Sequence, residues 1–237
     1  MQCATDEPSA KDAAGAPRTP AAILRRAGEI WREDGPLVLL DRILGETVYR
    51  RLWVFSGRLD EGIPAIKPEI QIELARLSLA EVEELAGFHP EVSLEEARAR
   101  LRRGHHCYVA RHAGRVVHAL WVGFGRVWVP YLGCWLELEP GEAYLYQSWT
   151  RPEYRRKGIA LARAVTALEE LRKAGYRRAF AAIMPRAATV LRPPRLLGRA
   201  PCGIIGYYRL GPWRRPFYRP LTRDAPRLRL VEAGSEA

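Results

Sequence analysis

Along the chain the apolar positions switch between the helical spacing of three to four and the strand spacing of two, and the switches mark out elements. Leu37, Leu40, Ile43, Leu44 and Val48 fall on one helical face, so Pro20 to Glu33 and Gly35 to Arg51 are expected as two short helices, with Leu52 to Phe55 a short strand. Pro64 and Pro68 bracket a change of pattern, and the main domain is expected to start near Lys67. Glu69 to Leu74 alternates as a strand. Ser78 and Ser93 each precede a helical stretch, to Ala86 and to Arg103. Glu81 and Glu96 stand three residues on, where a carboxylate completes a capping box. His105 to Arg111 and Arg115 to Gly123 are β-rich and meet at Ala113-Gly114, a hairpin signal.

The apolar stretch from His118 to Leu138 is broken by Gly123, Gly125, Arg126, Pro130 and Gly133 and is rich in Trp, Val and Tyr, which suits strands rather than a membrane helix. Val127 to Leu138 is read as β-structure. After a turn at Pro140-Gly141, Glu142 to Thr150 alternates with Glu142, Tyr144 and Tyr146 on one face and Ala143, Leu145 and Gln147 on the other. Gly158 to Ala174 has the stripe Ile159, Ala162, Val165, Leu168 and Leu171, and Gly175 closes it. Ala179 to Met184 is a further strand. Ala187 to Leu197 is a helix interrupted by Pro193-Pro194, and Gly203 to Leu210 is a last strand. The expected layout is a disordered lead-in over 1–19, a helical extension over 20–66, a domain over 67–211 and a Pro- and Arg-rich tail over 212–237.

Composition adds a charge asymmetry. The net charge is +11, with 38 basic and 27 acidic residues, and only Lys11, Lys67, Lys157 and Lys173 are lysines. Arg186 to Ala237 holds 11 arginines against Asp224, Glu232 and Glu236, a net of +8. Such an end points to a polyanionic partner such as nucleic acid, anionic lipid or a phosphorylated ligand, or to nucleotide bias behind an arginine-rich composition. Cys3, Cys107, Cys134 and Cys202 lack zinc-site spacing, and free thiols fit a reducing cytosol, so a soluble cytoplasmic protein without metal is expected. No apolar core of a secretory signal is visible in the first twenty residues.

The chemistry concentrates in Trp149 to Ala160, WTRPEYRRKGIA, where a strand ends and a helix opens. The first turn of a helix leaves amides without partners and carries partial positive charge, so it attracts phosphate. Gly158 lets an anion approach the backbone, and Arg155, Arg156 and Lys157 add charge. Pro152-Glu153-Tyr154-Arg155-Arg156-Lys157-Gly158-Ile159-Ala160 resembles the signature of the GNAT superfamily of acyl-CoA-dependent N-acyltransferases, Arg/Gln-x-x-Gly-x-Gly/Ala after a strand. The order of elements from Lys67 to Leu210 resembles that family too. The resemblance implies an α/β (α+β) fold with a mixed, mostly antiparallel central sheet flanked by helices, here with the N-terminal helical extension. It also implies acetyl-CoA or another acyl-CoA as co-substrate. The amides of Arg155, Arg156, Lys157, Gly158, Ile159 and Ala160 would hold the pyrophosphate, and the backbone at Ser148, Trp149 and Thr150 would hold the pantetheine arm.

Acyl transfer to an amine needs a neutral amine, a polarised carbonyl and a proton for the departing thiolate. Glu142, on the strand that feeds the signature, matches the glutamate that serves several members as base, although a glutamate beside Gly141 equally starts a strand in solvent. The tyrosine acid of many members has no counterpart: Pro194 stands near its position, and Arg199 where phenylalanine is usual. Tyr207, or its neighbour Tyr208, is the substitute acid, with water or simple packing as alternatives. His105, His106, His112 and His118 cluster in sequence, and Trp121, Phe124, Trp128, Tyr131 and Trp135 either flank an acceptor pocket or build core. The leading function is acetyl transfer to a small-molecule or peptide amine in a ternary complex. The alternative is a catalytically degenerate GNAT-shaped binding protein whose basic C-terminus docks on nucleic acid or another polyanion. A third keeps the enzyme and enlarges the donor or acceptor.

Overall fold

The alternating stretches become strands that assemble into two sheets. The computed structural model describes residues 48–60, 62–90, 92–184, 199–210, 213–223 and 225–232. The large sheet has the order β10-β9-β1-β8-β7-β4-β3-β2, with β1 Tyr49–Arg58, β2 Glu73–Leu77, β3 His106–His112, β4 Arg115–Gly123, β7 Glu142–Thr150, β8 Arg178–Ile183, β9 Ala200–Leu210 and β10 Trp213–Pro220. Its pairs are antiparallel except β7 with β8. A smaller sheet has the order β11-β6-β5, from Arg229–Glu232, Cys134–Glu137 and Arg126–Val129. The expected mixed, mostly antiparallel sheet with flanking helices is what forms.

Two helices are described. In α1, Leu94–Arg102, the Ser93 hydroxyl accepts from the Glu96 amide at 3.1 Å, the cap that the sequence announces. In α2, Ile159–Lys173, the chain leaves through a left-handed Gly175, whose amide donates to Arg172 O while Tyr176 N donates to Leu171 O. The helix expected over Ser78 to Ala86 contracts to a 3-10 turn at Val82–Leu85. The Glu81 carboxylate does accept from Ser78 N, at 2.9 Å, but Ala86 turns extended and Gly87 takes φ 63°, which brings Phe88 back into the core.

The alternation of β4 and β7 separates the layers. Leu120, Val122, Ala143 and Leu145 pack under Leu168 and Leu171 of α2. On the opposite face, Cys107, Ala119 and Trp121 are covered by α1 and the 3-10 turn, and Tyr144, Phe180, Leu52 and Val54 by the small sheet.

The large sheet extends beyond 67–211 on both sides. Tyr49–Arg58, expected as a helix end and a four-residue strand, is a ten-residue strand between β8 and β9. Both its faces are covered around Val54 and Phe55, so its apolar run is continuous and the two-residue period is hidden. The segment read as a Pro- and Arg-rich tail contributes β10 and β11. Proline lacks a ladder donor, and β10 accommodates Pro216 because it lies at the sheet edge. The N-terminal helical extension gains no support: the lead-in, the first expected helix and most of the second lie outside the described residues, as does the helix expected over 187–197.

Candidate active site

The one parallel pair of the sheet is also its interruption. β7 pairs with β8 from Glu142 with Arg178 to Leu145 with Ala181 and no further, while β8 runs on beside β1 to Ile183. Where the pairing stops, Gln147 adopts φ 42°, and the register of β7 on β4 slips between Ala119 and Trp121. Trp121 faces Tyr146 and Ala119 faces Trp149, so Leu120 stands opposite both Gln147 and Ser148, a β-bulge. Beyond it, the edge of β7 turned toward β8 has no strand partner among the described residues. Backbone amides and carbonyls are obligatory hydrogen-bonding groups, so this edge can receive an extended ligand as an added strand.

Thr150 leads into a 3-10 turn at Pro152–Tyr154 and then into α2. The Arg155 amide donates to Pro152 O at 3.2 Å, which takes it out of the expected cradle. Arg156 at φ 64° and Gly158 at φ 72° follow, and the first helical bond is Ala162 N to Gly158 O. Amides from Arg156 to Ala160 therefore meet no acceptor among the described residues. A Cβ on Gly158 would lie 3.4 Å from Pro68 Cα and 3.5 Å from Lys67 O, and Glu69 N donates to Lys157 O, so the turn is braced from behind. Bare amides at a helix start, reached over a glycine, fit a pyrophosphate.

The side chains of the expected cofactor residues divide their work. Ser148 and Ala160 are exposed, as are Arg155 and Arg156. Trp149 sets its ring edge-on to Phe88 at 4.7 Å. The Thr150 hydroxyl lies 2.8 Å from His118 Nδ1, and Thr150 O accepts from Arg155 Nε at 3.2 Å. Lys157 Nζ stands over the Tyr154 ring, and Ile159 is buried with Ala110 and Val117.

On the opposite face from α2, the bulge brings together residues that lie far apart in the sequence. The Tyr146 hydroxyl is 2.6 Å from His105 Nδ1. Burial, reinforced by Arg103 and Arg100, pushes the His105 pKa down to about 4, while burial pushes that of Tyr146 up, so both are neutral at neutral pH. Arg100 of α1 is buried with its guanidinium 5.2 Å from the Trp121 ring centroid and 5.3 Å from that of Tyr146. It donates to the Gln147 side chain through Nη1 and to Glu96 through Nε at 2.7 Å. The capped helix α1 thereby holds the strained residue of the bulge. Gly123 leaves the necessary room, because a Cβ there would meet Val127 Cγ2 at 2.6 Å and His105 Cε1 at 3.2 Å.

The two residues expected as base and acid stand elsewhere. Glu142 opens β7, four residues before Tyr146 and so about 13 Å along the strand. Its carboxylate accepts from Glu139 N at 3.1 Å and faces Arg178 Nη1 at 3.9 Å, and burial raises its pKa. Tyr207 lies in β9, three strand intervals or about 14 Å from β7, buried in the core beneath the Arg214 guanidinium at 4.0 Å. The histidines also separate. His106 packs on Phe124, His112 bonds Gln71 O, and His118 is fully buried on Thr150; only His105 reaches Tyr146. Of the aromatic series, Trp121 alone lines the bulge, while Trp128 and Trp135 pack on each other in the small sheet. The signal for Tyr146 and His105 is the three-dimensional crossing of β3, β4 and β7, which no local pattern carries.

Among the described residues, no group of His, Cys, Asp and Glu could hold a metal ion, and no helix is long and apolar enough to cross a membrane. No curated protein matches the sequence. Similar solved structures include that of a Drosophila protein, at 15% identity over 77% of this chain and 58% of that one, with a TM-score of 0.49. They also include a GCN5-related N-acetyltransferase from Sphaerobacter thermophilus, at 16% identity, 92% and 70% coverage and a TM-score of 0.46. A third is a GCN5-related N-acetyltransferase from Kribbella flavida, at 14% identity, 77% and 71% coverage and 0.44. The chain spans less than two thirds of the length of the Drosophila protein. The family model for the acetyltransferase (GNAT) family matches residues 74–190. Both the interrupted β7–β8 pair and the left-handed turn at Gly158 fall within that stretch, and the chain carries an acetyltransferase (GNAT) family domain across residues 74–190.

Proposed function

We propose that the chain is an acyl-CoA-dependent N-acyltransferase, moving an acetyl group to a primary amine by direct attack in a ternary complex. The observation that carries this reading is the pairing of two features: an unpartnered β7 edge and, immediately after it, a helix start whose amides are bare over a left-handed glycine. Acyl-CoA supplies the activated thioester. The amides of Arg156 to Ala160 hold its pyrophosphate, with Arg155, Arg156 and Lys157 adding positive charge, and the backbone of Ser148 to Thr150 holds the pantetheine arm as an added strand. The acceptor is a small-molecule or peptide amine.

Proton handling falls to Tyr146 and His105 rather than to Glu142 and Tyr207, which the fold sets away from the bulge. With both groups neutral and 2.6 Å apart, the tyrosine oxygen takes a proton from the attacking amine as its own passes to His105 Nδ1. The reverse transfer then delivers a proton to the departing sulfur, leaving the pair as it began. Arg100 and Gln147 fix the bulge that presents Tyr146.

Calorimetric titration with acetyl-CoA tests the cradle: Gly158→Glu, which puts a carboxylate and a strained backbone at the phosphate site, is expected to abolish binding. Equal binding by both proteins would overturn the cofactor assignment. An amine panel monitored by free thiol release then identifies the acceptor.

A further inference from the structure

Strands β1, β9 and β10, of 10, 11 and 8 residues, contain seven arginines and no aspartate or glutamate. Their register sets Tyr49 beside Tyr208 and Tyr208 beside Arg215; Arg51 beside Gly206 and Gly206 beside Phe217; and Trp53 beside Ile204 and Ile204 beside Arg219. Directly paired residues share a face, so these rows form one surface of rings interleaved with guanidinium groups. Tyr49 stacks on Tyr208 with centroids 5.0 Å apart, and Phe217 lies 4.9 Å from Tyr208. The Arg51 guanidinium stands 5.3 Å over the Tyr49 ring. Tyr208 is 47% exposed and Trp213, on the same face by alternation, 51%. Tyr208 packs on its neighbours and still, with Trp213, presents about half of its area to solvent.

We propose that this sheet face binds single-stranded nucleic acid, with unpaired bases stacking on Tyr208 and Trp213 and phosphates meeting Arg51, Arg215 and Arg219. Every base has an apolar face that stacks on an aromatic ring, and a positively charged surface follows the backbone, so the two together suit single strands without sequence preference. A duplex hides its base faces and would gain only the charge. An anionic membrane would use the arginines but not the stacked rings. The nearest strand of this surface, β1, lies two strand intervals, about 10 Å, from β7, and Tyr208 and Trp213 lie farther out on β9 and β10, so the proposal does not depend on the acyltransferase reading.

The test is fluorescence anisotropy of labelled oligo(dT) with the full chain, beside a duplex of equal length and vesicles of equimolar phosphatidylcholine and phosphatidylserine. Oligo(dT) is expected to bind most tightly, and the Tyr208→Ala/Trp213→Ala double variant about tenfold or more weakly. Replacing Arg51, Arg215 and Arg219 by Gln is expected to lower the slope of log affinity against log salt by about 2. An unchanged thermal midpoint and unchanged acetyl-CoA binding show that the variants are folded; if the double variant does not fold, the arginine variant and its salt slope decide. Equal affinity of wild type and double variant, equal affinity for duplex, or binding to vesicles but not to oligo(dT) would each overturn the proposal.

Discussion

Replacing Arg100 by Met removes a buried guanidinium while keeping an unbranched apolar stem. The Gln147 oxygen loses a charge-assisted donor, worth about 1.5–3 kcal/mol. Trp121 and Tyr146 lose a cation over their rings, about 0.5–1 kcal/mol each. Glu96 is 39% exposed and rehydrates, so its loss counts for little, and the methionine recovers part of the difference by apolar burial. The net expectation is a destabilisation of about 3 kcal/mol, which for a chain of this size lowers the thermal midpoint by about 9 °C. A second consequence separates this role from generic packing. Arg100 is one of the charges that depress His105, so His105 should titrate above its present value of about 4 in Arg100→Met, yet still below 6.5, because burial is the larger cause and persists. Arg100→Lys keeps the charge without the fork and should lower the midpoint while leaving the titration nearly in place. Calorimetry gives the first quantity and nuclear magnetic resonance titration of the imidazole the second. A wild-type midpoint with an unmoved His105 would refute the reasoning.

Acid should unfold the protein through two histidines. His105 and His118 have folded values of about 4 and about 3, below the ordinary 6.5, so the unfolded chain binds more protons and stability is lost as pH falls below 6.5. Between pH 7 and pH 5 the loss is about 2 kcal/mol from each, measurable as a drop in the urea midpoint; a midpoint that rises over this window contradicts the assignment. Gly206→Ala places a Cβ 2.2 Å from Arg50 O and 2.8 Å from the Phe217 ring, so it should cost about 3 kcal/mol or more by thermal melting, whereas a mild effect would mean that β1 and β9 slide easily. Tyr146→Phe should lower turnover about a hundredfold with acetyl-CoA binding intact. Tyr207→Phe and Glu142→Gln should keep nearly wild-type turnover, and the opposite ranking would restore the proton route to those two residues.

What the sequence discloses depends on whether a signal is local. The Ala113-Gly114 hairpin, the Ser93 cap, the strand from Glu142 and the helix that opens after Gly158 all rest on residues within a few positions of one another, and each forms where expected. Gly158 itself was legible because a turn that needs φ 72° selects glycine. The cluster at the bulge was not. Tyr146, His105, Arg100 and Gln147 meet only because β3 and β7 flank β4 and α1 lies across them, and the bulge at Gln147 reverses the alternation that a regular strand would continue. Glu142, chosen by family resemblance, and Tyr207, chosen to stand in for a missing tyrosine, were placed by position along β7 and β9, which says nothing of distance to the bulge. Composition hid two parts of the sheet: β1 was legible only over Leu52 to Phe55, because cover on both faces removes the alternation that would mark its full length, and the prolines and arginines of the edge strand β10 read as a tail.

The place of β1 has a consequence for how the chain reaches this fold. Cys202 Sγ donates to Val54 O across 148 residues, and β1 separates β8 from β9 in the sheet, so the earliest described strand to leave the ribosome must wait for nearly the whole chain before it finds either neighbour. Contacts of such sequence separation slow folding and expose strand edges in the meantime. A fragment beginning at Lys67 would retain the family-matched stretch yet lack the strand that joins β8 to β9, leaving two open edges where one filled gap should be. Such a fragment should be recovered as aggregate; a soluble fragment with a cooperative melt would show that β1 is dispensable.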